Sequence, residues 1–161
     1  FKILKNTVMR SKMILDVIKN KPGIGFNSIK EHTKLSNGVL SHYILQLLKN
    51  EKITKSGIRA RYFVHGFPER DMNLIMIFSN TTNFKIIKVL LENRGPLKIS
   101  EITKNIGKSL STVSVNIKKM EKLNIVSRKI MNQNTKLTSD IGYMITDKEL
   151  IKKIILRYNL E

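Results

Sequence analysis

The chain has 161 residues, 41% of them apolar and 6% aromatic, with no tryptophan, enough for one ordinary domain or two small ones built on Ile, Leu, Val and Met. No apolar run approaches the length of a membrane span, and the absence of cysteine excludes disulfides, thiolate metal sites and thiol nucleophiles. Thirty Lys and Arg against twelve Asp and Glu give a net charge of +18, a balance that favours polyanions, nucleic acid ahead of an acidic membrane surface.

The excess is not a tail: residues 1–80 hold 14 basic and 5 acidic residues and residues 81–161 hold 16 and 7, so each half carries +9. FKILKN at the start is too short for a secretory signal. With no cysteine and no membrane segment, a cytoplasmic location is expected. Apolar residues at i, i+3, i+4 spacing predict a helix over about 7–20, broken by Pro22-Gly23. A short helix follows near 26–32 (FNSIKEH), and a tight turn leads to Ser36, a good N-cap for a third helix that runs to about Asn50. ITKSGIRARYFVHG then reads as two short strands around a Ser56-Gly57 turn, with Tyr62 and Phe63 in the strand core.

Residues 66–81 begin with turn chemistry and then hold an apolar run, Leu74–Phe78, which predicts a packed connecting helix or strand. The first plan then recurs. A helix over 82–93 is broken by Gly95-Pro96, a short helix covers 99–105 (ISEITKN), and Ser109 caps a third helix that runs to about Leu123. IVSRKIMNQNTKLTSDIGYMIT reads as two strands around a longer polar loop. DKELIKKIILRYNLE closes the chain as a helix whose stripe of Leu150, Ile151, Ile154 and Ile155 either caps the second core or pairs with another subunit.

A shift of 73 residues aligns the two halves without a gap from about residue 10 to 54. Ile14 meets Ile87, Ile29 meets Ile102, Ser36 meets Ser109, Leu40 meets Val113, Ile44 meets Ile117, Leu47 meets Met120 and Ile53 meets Val126. Helix, helix, turn, helix, hairpin, repeated, is a pair of winged helix-turn-helix units. The expected class is mainly α with small β wings (α+β): one such domain over 1–66, a connecting segment over 67–81, and a second domain with a C-terminal helix over 82–161.

LSNGVLSHYILQLLKNEKI and KSLSTVSVNIKKMEKLNIV resemble the turn and recognition helix of MarR-type and ArsR-type winged-helix regulators. The matching residues are Ser36, Leu40, Ser41, Ile44 and Leu47, then Ser109, Val113, Ser114, Ile117 and Met120. PGIGFNSIKEHTKLSNGVLSHYI is especially similar to archaeal regulators, and the two modules cover nearly the whole chain. The resemblance implies a transcription regulator that binds double-stranded DNA and needs no cofactor. A recognition helix fits the major groove and reads base edges from near its N-terminus. That implies Ser36, Asn37, Gly38, Ser41, His42 and Gln46 in the first module, and Ser109, Ser111, Thr112, Ser114 and Asn116 in the second, with Lys118 and Lys119 on phosphates. The wings would bring Lys55, Arg59 and Arg61, and in the second module Arg128, Lys129 and Lys136, to phosphates or a minor groove. Where the family often has a basic residue after the helix serine, this chain has His42 and Val115, and the second module has Leu110 and Val115 on the side expected to be exposed, so the second helix is expected either to favour phosphates over bases or to pack against another surface.

Winged helices also serve as protein-docking modules, and exposed Leu45, Leu110 and Val115 are the features that favour that alternative; a replication initiator or a DNA-delivering enzyme subunit are others. A second copy or another protein is the expected partner if the C-terminal helix pairs rather than caps, and no small-molecule ligand site is legible. Catalysis finds little support, because no nucleophile and base stand at a recognisable spacing. His32, His42 and His65 lack a Cys or paired-carboxylate context for a metal. Gly23-Ile24-Gly25 is expected to be a helix-to-helix turn rather than a dinucleotide loop.

Overall fold

The computed structural model describes residues 2–131 and 140–160, with side chains from residue 6 onward. Its contacts divide the chain into two compact units, residues 1–76 with 158–160, and residues 77–157 with 161. Eight helices and five strands are defined among the described residues, which is the α+β class.

The first unit opens with α1 (Lys2–Asn20), five residues longer at its start than the periodicity predicts. Ile14 and Ile18, one turn apart, are fully buried and set its inner face. β1 (Ile24–Gly25), α2 (Phe26–Thr33), α3 (Asn37–Lys49), β2 (Ile53–Ser56) and β3 (Arg61–Val64) follow. The sheet order is β1-β3-β2, all antiparallel, with Ile24 opposite Tyr62 and Lys55 also opposite Tyr62 on the other side. The Gly23-Ile24-Gly25 run is therefore not only a helix-to-helix turn: Ile24 and Gly25 add a third strand to the wing. Ile14, Ile18, Ile29, Leu40, Ile44, Leu47, Ile53 and Tyr62 form one core cluster, which joins three helices to the base of the hairpin.

The Pro22-Gly23 break has a steric reason. Gly23 sits at φ +77, and its N–H donates to the Tyr62 carbonyl at 2.9 Å. A Cβ there would stand 2.7 Å from Ile75 Cγ2 and 3.2 Å from Phe63 Cζ. Gly23→Ala should accordingly destabilise the protein by about 1–3 kcal/mol, the usual cost of a left-handed non-glycine residue held in a packed site; the urea midpoint measures it, and an unchanged midpoint would show that Ile75 yields freely. Ile75 lies on α4 (Glu69–Phe78), so the connecting segment is a helix, with Leu74, Ile75, Ile77 and Phe78 buried.

In the second unit, α5 (Thr81–Glu92), α6 (Ile99–Ile106), α7 (Leu110–Lys122), β4 (Val126–Ile130), β5 (Ile141–Ile145) and α8 (Lys148–Tyr158) follow in order. β4 and β5 pair antiparallel, and Leu97 makes an isolated bridge to Tyr143, the counterpart of Ile24 on Tyr62. Ile151 and Ile154 of α8 are buried in this unit, so the stripe caps a core. Lys148, at the start of α8, donates to the carbonyls of Leu91 and Asn93, where a cation suits the negative end of α5.

The repeat extends to the backbone. α2 and α6, and α3 and α7, have identical lengths of 8 and 13 residues and begin 73 residues apart. Lys34 and Gly107 both end their short helices at positive φ (56° and 64°), and Glu51 and Asn124 both turn the chain into the hairpin at 52° and 59°. Aligned core residues are buried in both copies, Leu40 with Val113, Ile44 with Ile117 and Ile53 with Val126.

Candidate nucleic-acid interface

In the first unit the inner face of α3 is fixed by Leu40, Tyr43, Ile44 and Leu47, all buried. Helical geometry then turns Gly38, Ser41, His42, Leu45, Gln46 and Lys49 outward together, at i, i+3, i+4, i+7, i+8 and i+11, and all six are exposed. Ser36 and Asn37 are exposed at the helix start. α3 contains no Asp or Glu. Ser36 holds the N-cap position with extended backbone (φ −68°, ψ 158°), and its carbonyl accepts from the Leu40 N–H at 2.9 Å. Its hydroxyl, however, makes no capping hydrogen bond. The capping role expected of that side chain is thus carried by backbone alone, which leaves a hydroxyl and the first N–H groups of a helix facing solvent.

The corresponding face of α7 differs in chemistry. Position by position, Ser111, Ser114, Val115, Lys118, Lys119 and Lys122 replace the six of α3, and all but the half-buried Ser114 are exposed. Val115 is 67% exposed and Leu110 lies exposed at the start of the helix. Ser109 does cap: its Oγ accepts from the Thr112 N–H at 3.3 Å, and Oγ lies 2.8 Å from Thr112 Oγ1 and 3.1 Å from Ser111 Oγ. Asn116 turns back on its own helix, donating to the Thr112 carbonyl at 2.9 Å. Of the polar candidates in α7, Ser111, Thr112 and Asn116 are therefore engaged locally, while Lys118 and Lys119, together with Lys122, point outward.

The wings are unequal. In the first, Lys55 and Arg59 are exposed, whereas Arg61 is half-buried and its Nη1 donates to the Gly23 carbonyl at 3.3 Å, fastening β3 to the α1–α2 break. Gly57, at φ +79, has its Cβ position 2.6 Å from Met76 Cε, so the turn is held from behind and Ile58 stands out at its tip. In the second wing, Arg128 is bound by Glu121 of α7, Nε to Oε1 at 2.5 Å and Nη2 to Oε2 at 3.2 Å. The hydrogen bond and charge of Glu121 raise the already high pKa of that guanidinium. A two-point ion pair of this kind ties Arg128, whose side chain is 56% exposed, to a carboxylate of its own domain. Lys129 is exposed, and Lys136 lies outside the described residues.

Two cations on these faces, Lys49 and Lys122, are absent from the candidates read from the sequence, although each continues its stripe one turn beyond Leu45 and Lys118. The Glu121–Arg128 pair joins a helix to a strand and has no spacing signature. His32 is held by Lys21 Nζ at 2.9 Å and by the Ser28 carbonyl at 2.7 Å, which fixes its tautomer with Nδ1 protonated. Tyr62 and Phe63 are buried, and burial raises the Tyr62 pKa. Among the described residues no three His, Asp or Glu side chains gather as a metal site, and no single helix is long and apolar enough to cross a membrane.

Residues 79–127, which span α5 to the start of β4, match the model of the winged helix-turn-helix DNA-binding family. Over 131 residues the chain is 28% identical to an uncharacterized HTH-type transcriptional regulator of Methanocaldococcus jannaschii, covering 80% of this chain and 32% of that protein. The chain thus spans about a third of the length of that relative. Among solved structures, it is similar to a homodimeric winged helix-turn-helix DNA-binding domain of Mycobacterium bovis, described as a possible ArsR-family regulator. That similarity has a TM-score of 0.40 and 16% identity, over 57% of this chain and 84% of that one. A conserved hypothetical protein of Chlorobium tepidum covers 98% of this chain and 99% of its own at TM-score 0.34 and 12% identity. With TM-scores this low, neither structure adds to the fold assignment.

Proposed function

We propose that the chain binds double-stranded DNA as a transcription regulator, with both units acting as winged helix-turn-helix modules and α3 and α7 as their recognition helices. The observation that carries this reading is the pair of outward faces. They occupy the same register of the same module, 73 residues apart, and neither exposes an acidic side chain. α3 offers the hydrogen-bonding side chains of Asn37, Ser41, His42 and Gln46, suited to base edges. α7 offers Lys118, Lys119 and Lys122, suited to phosphates. The division of labour is therefore specificity from the first unit and electrostatic grip from the second. Lys55 and Arg59 of the first wing and Lys129 of the second add phosphate contacts; Arg61 and Arg128 act by holding their wings in shape.

A second copy or another protein has one feature in favour of it on α8, Leu156, which is 81% exposed beside the buried Ile154. Docking of other proteins through α7 is favoured only by Leu110 and Val115, which lie among lysines. Titration of a fluorescent random duplex of about 30 base pairs tests the main reading. Affinity should fall steeply with salt, the slope of log K against log salt being about −0.9 per phosphate engaged. A weak response that is flat in salt would leave the two faces as protein-docking surfaces.

A further inference from the structure

The outward face of α3 holds one large apolar side chain, Leu45, 66% exposed at its centre. Ser41 and His42 lie one turn before it, Gln46 beside it and Lys49 one turn after it, and all are exposed. Nothing in the fold asks for an apolar residue there. Ile44 and Leu47 of the same helix supply the core contact, and the position 73 residues later in the second unit is Lys118. The apolarity at 45 thus answers to what the face meets, not to packing within the unit. A patch of hydrogen-bonding groups around one leucine, in a helix with no acidic residue and a chain of charge +18, complements a polar, anionic surface that has an isolated apolar feature. The major groove is such a surface. Its base edges present donors and acceptors, and its one apolar group is the C5 methyl of thymine.

On the DNA-binding reading above, we infer that Leu45 reads thymine methyl groups in the major groove, and so makes the first unit's site dependent on thymine at that step. The polar neighbours on either side contact the flanking base edges. Lys118 is the matching position on α7 and offers a charge in place of an apolar contact, so this dependence belongs to the first unit alone.

The test removes the methyl and leaves every hydrogen-bonding group in place. Duplexes of about 30 base pairs, selected from a random library by the wild-type chain, are made with thymidine or with deoxyuridine throughout, and affinities are measured by anisotropy at one salt concentration. The wild type should bind the uracil duplex about fourfold more weakly per contacted methyl, the value of removing one methylene-sized group from an apolar contact. Leu45→Ala should bind both duplexes alike. Leu45→Lys, which copies α7, should also bind both alike, with a salt slope steeper by about one. Because Leu45 is exposed, both variants should keep the wild-type circular dichroism spectrum. Equal affinity of the wild type for the two duplexes overturns the inference, as does a thymine preference that Leu45→Ala retains, the result expected if Leu45 served a protein partner. Failure of every duplex to bind would instead remove the DNA reading on which the inference rests.

Discussion

With Lys118, Lys119 and Lys122 all replaced by alanine, affinity for duplex DNA should fall roughly 500-fold at 0.1 M salt, and by the same factor on every sequence. The figure follows from about 0.9 units of salt slope per phosphate contact, three of which remove about 2.7 from the slope between 0.1 M and 1 M. The three lysines are exposed on α7 and make no hydrogen bond or ion pair among the described residues, so their loss leaves the core formed by Val113, Ile117 and Met120 intact. Alanine is also the better helix former. The readout is the slope measured on a random duplex and on a selected one: equal loss on both marks phosphate contacts, and an unchanged slope would show that α7 does not face DNA. A contrasting pattern is expected from α3, where the exposed side chains of Asn37 and Gln46 are uncharged and bear on preference rather than salt dependence.

Phe63→Ala should destabilise the protein by about 3–5 kcal/mol, the usual range for deleting a buried aromatic ring. Phe63 has no exposed surface, lies on the central strand of the first sheet, and has its ring centroid 5.2 Å from that of Phe67, the two rings tilted by 45°. Its ring also walls the space over Gly23, beside Ile75. Removing it opens a cavity where β3, the α1–α2 break and α4 meet. Relaxation is limited because β3 is hydrogen-bonded on both edges. Urea unfolding checks the value, and Phe63→Leu, which keeps most of the volume, should cost less than about 1.5 kcal/mol. A loss below 1 kcal/mol from the alanine variant would mean that the wing base repacks.

The helices were legible because their signal is local. Ile14 and Ile18, or Val113, Ile117 and Met120, recur at the helical period and are the buried residues of their elements. Ser36 and Ser109 mark the start of α3 and α7, and the ends at Asn50 and Leu123 agree with the reading from periodicity. The 73-residue register was visible for the same reason: a repeated fold needs the same residues buried, whatever the identities elsewhere. The exposed face of α3 follows by geometry once its inner face is known.

Other features carry no local signal. β1 is two residues long, too short for any alternation to show, and exists because β3 offers it a free edge. Lys34 and Glu51 adopt positive φ without the glycine or asparagine found at the matching positions Gly107 and Asn124, so residue type concealed two of the four turns. The capture of Arg128 by Glu121 and of Arg61 by the Gly23 carbonyl depends on a strand returning beside a helix or a break far away in sequence. Composition, hydrophobic period and capping residues therefore determined the fold class, the repeat and the outward face of each third helix. Tertiary structure alone decided which basic residues, among those described, face solvent unpartnered by their own fold and which are held at home, because a hydrogen bond or ion pair is set by proximity in space, on which spacing along the chain has no bearing.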